Sequence, residues 1–452
     1  MRRVTLFLAA IVIAGCARST GAVPAVVAAP ALQKPPALYS ILHEFAGSYD
    51  DPADGVWPTT TPILASDGDL FGTTYGGGET TSGICNGGCG TIYTTTKSGS
   101  EKVLHRFAGQ PEDGAVPEGD LVIANGRIYG TTFYGGANLD CAGRACGTIF
   151  EIDASGSGYK VLHSFKGGAD GSNPEGPLRD WNGALYGSTT SGLDGHVCAG
   201  DNGVYGTLFT LNSTGTETPF WHFAGAPNDG ACPLGRLAAS GGTLYGVTYE
   251  GGTNNTGTLY SVSQGHKVTM LASFKPSIGD YPVGVVAFQN PTTKTITLYG
   301  ALSADGPNGT GAIFSYDVAS NSFNWFSTFP KDERRGGLPY AAPVITKDGS
   351  MLYGTTEGGG ICGVGTVFSM TPAGTESVLY SFVGDRVVSK PDGSAPVSGL
   401  LIDGNTLYGT TVLGGVDRSV HGLGTLFAVA TSDRGAPSCP KRTGSGDRRN
   451  RS

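Results

Sequence analysis

The sequence predicts an all-β fold, a seven-bladed β-propeller made of seven four-stranded repeats of about 55 residues each. Three observations predict it. A tetrapeptide of the LYGT type recurs with its glycines at Gly72, Gly130, Gly187, Gly246, Gly300, Gly354 and Gly409. Each unit holds four short strand-like runs; in the second they are GDLVIAN, RIYGTTF, GTIFEID and YKVLHSF, joined by turn residues. Finally, the repeat is out of phase. The chain opens on a fourth-type strand near 38–45 and ends after a third-type strand near 424–430. Pairing the first strand with the last blade would close the ring and remove the open edge that sheets must otherwise protect.

Composition agrees with this. Of 452 residues, 75 are Gly and only 4 are Met, and no long run has a helical apolar period. The glycines lack a period of three, which excludes a collagen-like chain. Net charge is −8, unevenly placed. Residues 1–37 carry four basic and no acidic side chains, and 433–452 carry six basic and two acidic, so the middle stands at −16. Such an acidic body repels phosphate backbones, so no nucleic-acid partner is expected.

The chain begins MRRVTLFLAAIVIAGCARS. Two arginines, a short apolar run and a small-residue segment before Cys16 form a signal peptide over 1–15, too short to be a stable span. The IAGC sequence resembles the bacterial lipobox, which makes Cys16 the expected lipidation site and gives a membrane attachment through acyl chains alone. Ala17 rather than Asp after the cysteine favours an outer-membrane lipoprotein of the cell envelope, by resemblance to Gram-negative lipoproteins. Residues 16–37 are then an Ala/Pro-rich tether, 38–432 the propeller, and 433–452 a basic, disordered tail. A monomer is expected.

Other segments repeat as well. A Gly-Thr-aliphatic-aromatic tetrad ends at Tyr93, Phe150, Phe209, Tyr260, Phe314 (as GAIF), Phe368 and Phe427. A VLHSF-like segment ends at Phe45, Phe107, Phe165, Phe223, Phe274, Phe329 and Phe382. Glycine in LYGT is expected to admit an aromatic such as Phe150 from a neighbouring blade. The whole unit, DG..P.G.L...NG.LYGTT..GG....GT.F.....G...VLHSF, resembles the GloVer-type tandem repeat of bacterial exported "choice-of-anchor" proteins over about 38–432. The fifth unit departs from it: LYGALSADGPNGTGAIF lacks the double threonine. The resemblance implies export and a repeat scaffold, and brings no catalytic residues.

Two cysteine pairs precede tetrads, Cys85 with Cys89 and Cys141 with Cys146. In an oxidising compartment local disulfides are expected. Zinc fits less well, because the pairs lie on separate blades. Cys198 and Cys232 fall on the same face of neighbouring blades and are expected to bridge. Cys362 and Cys439 are left either paired or free.

The loop-rich face also gathers the DG..P segments of Asp54, Asp113, Asp170, Asp229 and Asp392. The fifth unit reads Asp280-Tyr281-Pro282, and the sixth GGLP. Two readings stand for these aspartates. One is an Asx-type turn in which Asp caps its own backbone. The other is a ring at the channel mouth that binds a polyol or calcium, an oxygen-ligated cation. Aromatic residues Tyr75, Phe133, Tyr134 and Tyr249 open the second-to-third loops, where they suit sugar stacking or simply cover the core. His43, His105 and His163 share one repeat position in outer strands; they cannot converge on one ion, so packing or rim solvation is expected. No serine elbow, zincin or P-loop motif is present, and no cofactor is expected. The sequence thus points to an exported repeat scaffold binding a glycan or an envelope protein. The alternatives are a polysaccharide-acting glycosidase or lyase with carboxylates at the channel mouth, and a passive envelope scaffold.

Overall fold

Alternating side chains and β-branched residues make each unit fold into four antiparallel strands. The computed structural model describes residues 39–432, apart from 47–53, 79–84, 86, 139–140, 142–144, 191–192, 195–196, 199–203, 278, 305–307, 330–335, 385–391 and 416–421. Cys16, the tether and the basic tail lie outside the described residues.

Seven four-stranded sheets form seven blades. Blade two is representative, with Val122–Ala124, Arg127–Thr132, Thr148–Ile152 and Lys160–Ser164 in order from the axis outward. The first strands of neighbouring blades touch, which makes them the inner ones. The seventh blade runs Leu401–Asp403, Thr406–Thr411, Thr425–Ala430 and then Tyr39–Glu44. Tyr39 lies opposite Val429 and Glu44 opposite Thr425, so the two ends of the propeller are zipped in one sheet. This is the closure predicted by the phase of the repeat.

The blades are glued by an aromatic ladder. The Phe that closes each outer strand meets the tetrad aromatic of the next blade edge-on or tilted. Phe107 meets Phe150 at 5.3 Å, Phe165 meets Phe209 at 5.4 Å, and Phe45 meets Tyr93 at 5.1 Å across the ring closure. Such pairs add roughly 0.5–1.5 kcal/mol each beyond their area. The glycine of LYGT serves this ladder from inside its own blade. Gly130 lies opposite Phe150 in the adjacent strand, and a Cβ there would sit 2.5 Å from Phe150 Cζ. The expected partner is therefore the right residue, but it belongs to the same blade rather than to a neighbour.

The second Thr of GTT has a fixed partner too. Its hydroxyl meets that of the tetrad Thr in six blades, for example Thr132 with Thr148 and Thr189 with Thr207, both at 2.8 Å. The DG glycine packs on this pair: a Cβ on Gly114 would sit 2.4 Å from Thr132. In blade five the pair is Leu302 opposite Ala312, and Gly279 takes the place of the turn glycine against Leu302. Asp280 is then one residue past the turn position, so it is not the counterpart of Asp54 or Asp113.

Candidate functional site

One backbone position marks the loop-rich face in every blade. The residue before the first-strand Pro is Trp57, Val116, Asn173, Cys232, Tyr281, Leu338 or Ala395, and each has φ between 52 and 59°. A side chain in this left-handed region costs about 1–2 kcal/mol. The cost is offset because the turned N–H reaches a carbonyl of the preceding blade, as Val116 does with Cys89 at 2.8 Å and Cys232 with Tyr205 at 2.7 Å. The fold thus holds seven different side chains on one fixed backbone turn, beside the first-strand residues that surround the axis.

Two of these turns carry large aromatics. Tyr281 stacks on Tyr249 at 4.5 Å with an interplanar angle of 19°. Tyr340, just after the Pro of blade six, is 42% exposed. Burial pushes the Tyr249 hydroxyl up to about 12, with Tyr281, Tyr340, Glu250 and Glu175 adding to the shift. Those groups therefore share one neighbourhood. Glu118 and Glu175 occupy the equivalent post-Pro position of blades two and three. Burial holds both carboxyls above their ordinary range, and the charge of Glu175 adds to the shift of Glu118. Deeper along the first strands, Asp120 accepts a bond from the Thr61 N–H at 2.7 Å and faces Arg236 at 3.5 Å. Tyr281, Tyr340, Glu118 and Glu175 were not singled out from sequence; the signal was their place next to the first-strand Pro.

The aromatics that open the second-to-third loops divide. Tyr249 belongs to this cluster. Tyr75 is 36% exposed and lies edge-on to Trp57 at 6.3 Å. Phe133 is buried in the core of blades one and two, with Tyr134 perpendicular to it at 4.7 Å.

The aspartates do not converge as a ring at the channel mouth. Each serves the end of the outer strand before it. Asp113 Oδ1 accepts from the Gly114 N–H at 2.7 Å, and Oδ2 accepts from the Ala108 N–H at 2.9 Å. Asp54 and Asp229 do the same with Gly55 and Ala46, and with Gly230 and Ala224. Asp392 accepts from the Val383 and Gly384 N–H groups. This is the turn-capping reading. The histidines join them: His43 pairs with Asp54 at 3.1 Å, His105 with Asp113 at 3.0 Å and His163 with Asp170 at 3.1 Å. Their role is thus a specific bond at the blade joint, not rim solvation. His222, one residue out of step, bonds the Ala169 carbonyl instead.

At several joints a third group comes from the outer strand of the following blade. At the joint of blades one and two it is Tyr159, whose ring stacks on His105 at 3.5 Å and whose hydroxyl donates to Asp113. At the joint of blades six and seven Tyr39 holds that position and stacks at 4.1 Å on Tyr380, which stands where three other joints have His and donates to Asp392 at 2.7 Å. In three blades the position is Glu: Glu101 lies beside His43 and Asp54, and Glu217 beside His163 and Asp170, whereas Glu376 of blade six belongs to no such cluster among the described residues.

Cys85–Cys89 and Cys141–Cys146 are disulfides, with Cα–Cα distances of 5.0 and 5.2 Å. Each braces a loop before a tetrad, which settles them as staples rather than zinc ligands. Cys232 and Cys362 each take part in a disulfide too. The side chain of Cys198 and all of Cys439 lie outside the described residues.

Comparison with known proteins places the chain. No curated protein matches it. Among solved structures it is similar to a candidate 6-phosphogluconolactonase from Bacteroides uniformis, at 14% identity and a TM-score of 0.46, over 79% of this chain and 94% of that one. It is also similar to TolB from Acinetobacter baumannii, at 14% identity and a TM-score of 0.34, over 68% and 64%. The Gloeobacter/Verrucomicrobia repeat matches residues 79–297 and 292–438, which is most of the chain. With its seven blades built on that repeat, the protein belongs to the Gloeobacter/Verrucomicrobia repeat family.

Proposed function

We propose that this propeller is an exported, lipid-anchored scaffold that binds an extracellular glycan at the Tyr249–Tyr281–Tyr340 cluster. The observation that carries the binding site is the stacked pair Tyr249–Tyr281 beside the exposed Tyr340 and the carboxyls of Glu118 and Glu175. Sugar rings present flat apolar C–H faces and a rim of hydroxyls. Tyrosine rings take the faces, and carboxylates accept from the hydroxyls. The export and anchor part rests on residues 1–16 and on Cys16 as the acylated residue, with the outer membrane as the destination.

The test is calorimetric titration of the Cys16→Ser chain with a panel of oligosaccharides. One sugar class should bind, and Tyr249→Ala with Tyr340→Ala should abolish binding while leaving the melting temperature within a few degrees. Failure of every sugar would sink the glycan reading and leave an envelope protein as the partner. Loss of labelling by radioactive palmitate in Cys16→Ser would support the anchor; unchanged labelling would refute it.

A second reading, a polysaccharide hydrolase, is favoured by one observation. Glu118 and Glu175 hold the same position in adjacent blades, and burial raises both carboxyls above their ordinary range. A neutral carboxyl beside a charged one can act as general acid. Release of reducing ends by the wild type, absent in Glu175→Gln, would move the assignment to that class.

A further inference from the structure

We propose that the joint between blades two and three is a divalent transition-metal site formed by His163, Asp170 and Glu217, and that His43, Asp54 and Glu101 form a second copy at the ring closure. In each set one ligand atom per residue lies within 4.8 Å of the others. His163 Nε2 is 3.1 Å from Asp170 Oδ2 and 3.8 Å from Glu217 Oε2. Those separations straddle the roughly 3.3 Å between neighbouring ligands of a tetrahedral ion with bonds of about 2.0–2.1 Å.

The pointer to a missing group is Glu217. Its side chain is only 2% exposed, yet Oε1 has no hydrogen-bond partner. Oε1 of Glu101 is likewise buried without a partner. A buried carboxylate oxygen left unpaired is costly, and costlier beside a second carboxylate. The contrast with the other joints sharpens this. Where Tyr159 stands, a phenolic hydroxyl satisfies the aspartate. Where Glu101 or Glu217 stands, a second carboxylate faces the aspartate with its Oε1 unbonded, and a cation would satisfy both.

The ligands are also held for the task. Asp170 Oδ2 is fixed by the Lys166 N–H at 2.9 Å, and the imidazole of His163 is braced edge-on by Phe165 at 4.8 Å. One nitrogen and two carboxylates suit a borderline ion such as zinc or cobalt better than calcium, and leave a coordination position for water. The two outer strands of each joint belong to different blades, so an ion there ties one blade to the next.

The experiment is a titration of the tag-free, chelator-treated protein with Co2+, read by its visible absorption and by displacement with Zn2+. Two equivalents should bind. Glu217→Gln should bind one, and Glu101→Gln with Glu217→Gln none. Tyr159→Glu should raise the uptake to three, because His105 and Asp113 already stand in place. Less than one equivalent in the wild type, or unchanged uptake in the double variant, would overturn the proposal and leave a shared proton between the carboxyls. Tyr159→Glu tests the geometry independently, should either Gln variant fail to fold: no gain there also counts against it.

Discussion

Blade five and blade two solve one packing problem with opposite chemistry. In blade two the cross-strand pair under the turn glycine is Thr132–Thr148, two hydroxyls that satisfy each other. In blade five it is Leu302 opposite Ala312, with no hydroxyl at all. Both blades keep the glycine beneath the tetrad aromatic, Gly130 under Phe150 and Gly300 under Phe314. The lesson is that the repeat conserves space strictly and polarity only in pairs. A matched pair can be exchanged for an apolar one at small cost, whereas a single partner cannot be removed cheaply.

The largest expected effect tests the part that the two blades share. Gly130→Val and Gly300→Val should each cost about 3 kcal/mol or more, measured as a fall in the urea midpoint, since a Cβ would sit 2.5 and 2.4 Å from the opposing ring. A much milder loss in blade five would mean that its strands are looser than their register implies.

Next comes the pair itself. Thr132→Val strands the buried hydroxyl of Thr148 and should cost about 2 kcal/mol. The double change Thr132→Leu with Thr148→Ala grafts the blade-five solution into blade two. It should cost less than the sum of its singles by about 1 kcal/mol, in a double-mutant cycle. Strict additivity would break the comparison.

The joints give a smaller, pH-dependent effect. Burial pushes Asp392 up to about 6, against an ordinary 3.8, although Tyr380 and backbone N–H groups pull it back. Between those values the folded chain holds a proton that the unfolded chain has released. The associated stability is full below pH 3.8 and is lost as pH rises through 6. Asp392→Asn should flatten that slope. Asp113 behaves oppositely: its burial is outweighed by bonds from His105, Tyr159 and the Ala108 N–H, which hold it below 3.8. Its contribution is present above that value and fades as pH falls through its lowered pKa. Smallest of all, Tyr159→Phe removes one bond to Asp113 and should cost about 1 kcal/mol in thermal unfolding.

Much of the architecture could be read from the sequence because the repeat encodes it locally. Strand type and the two short disulfides follow from motifs within one unit, blade number from counting the units, and ring closure from the phase at which the repeat starts and stops. The joints could not be read in that way. His and Asp are 11, 8 and 7 residues apart at the three paired joints. The intervening loop changes length, so no fixed spacing announces the bond. The third member, Glu217 or Tyr159, comes from the next blade, where only the register of an outer strand brings it in. The Tyr281 and Tyr340 cluster was hidden for a related reason. Both flank the first-strand prolines, and a turn with positive φ, invisible in composition, presents them at the face.

The closing strand also sets a timetable. Tyr39 must wait for Val429, nearly the whole propeller away, before it can pair. At about 5–20 residues per second of synthesis that interval is roughly 20–80 s. Throughout it the strand YSILHE is an unpaired template for foreign edges. The order of manufacture thus leaves the first strand made as the last to be sheltered, and whatever guards the nascent chain must guard that hexapeptide longest.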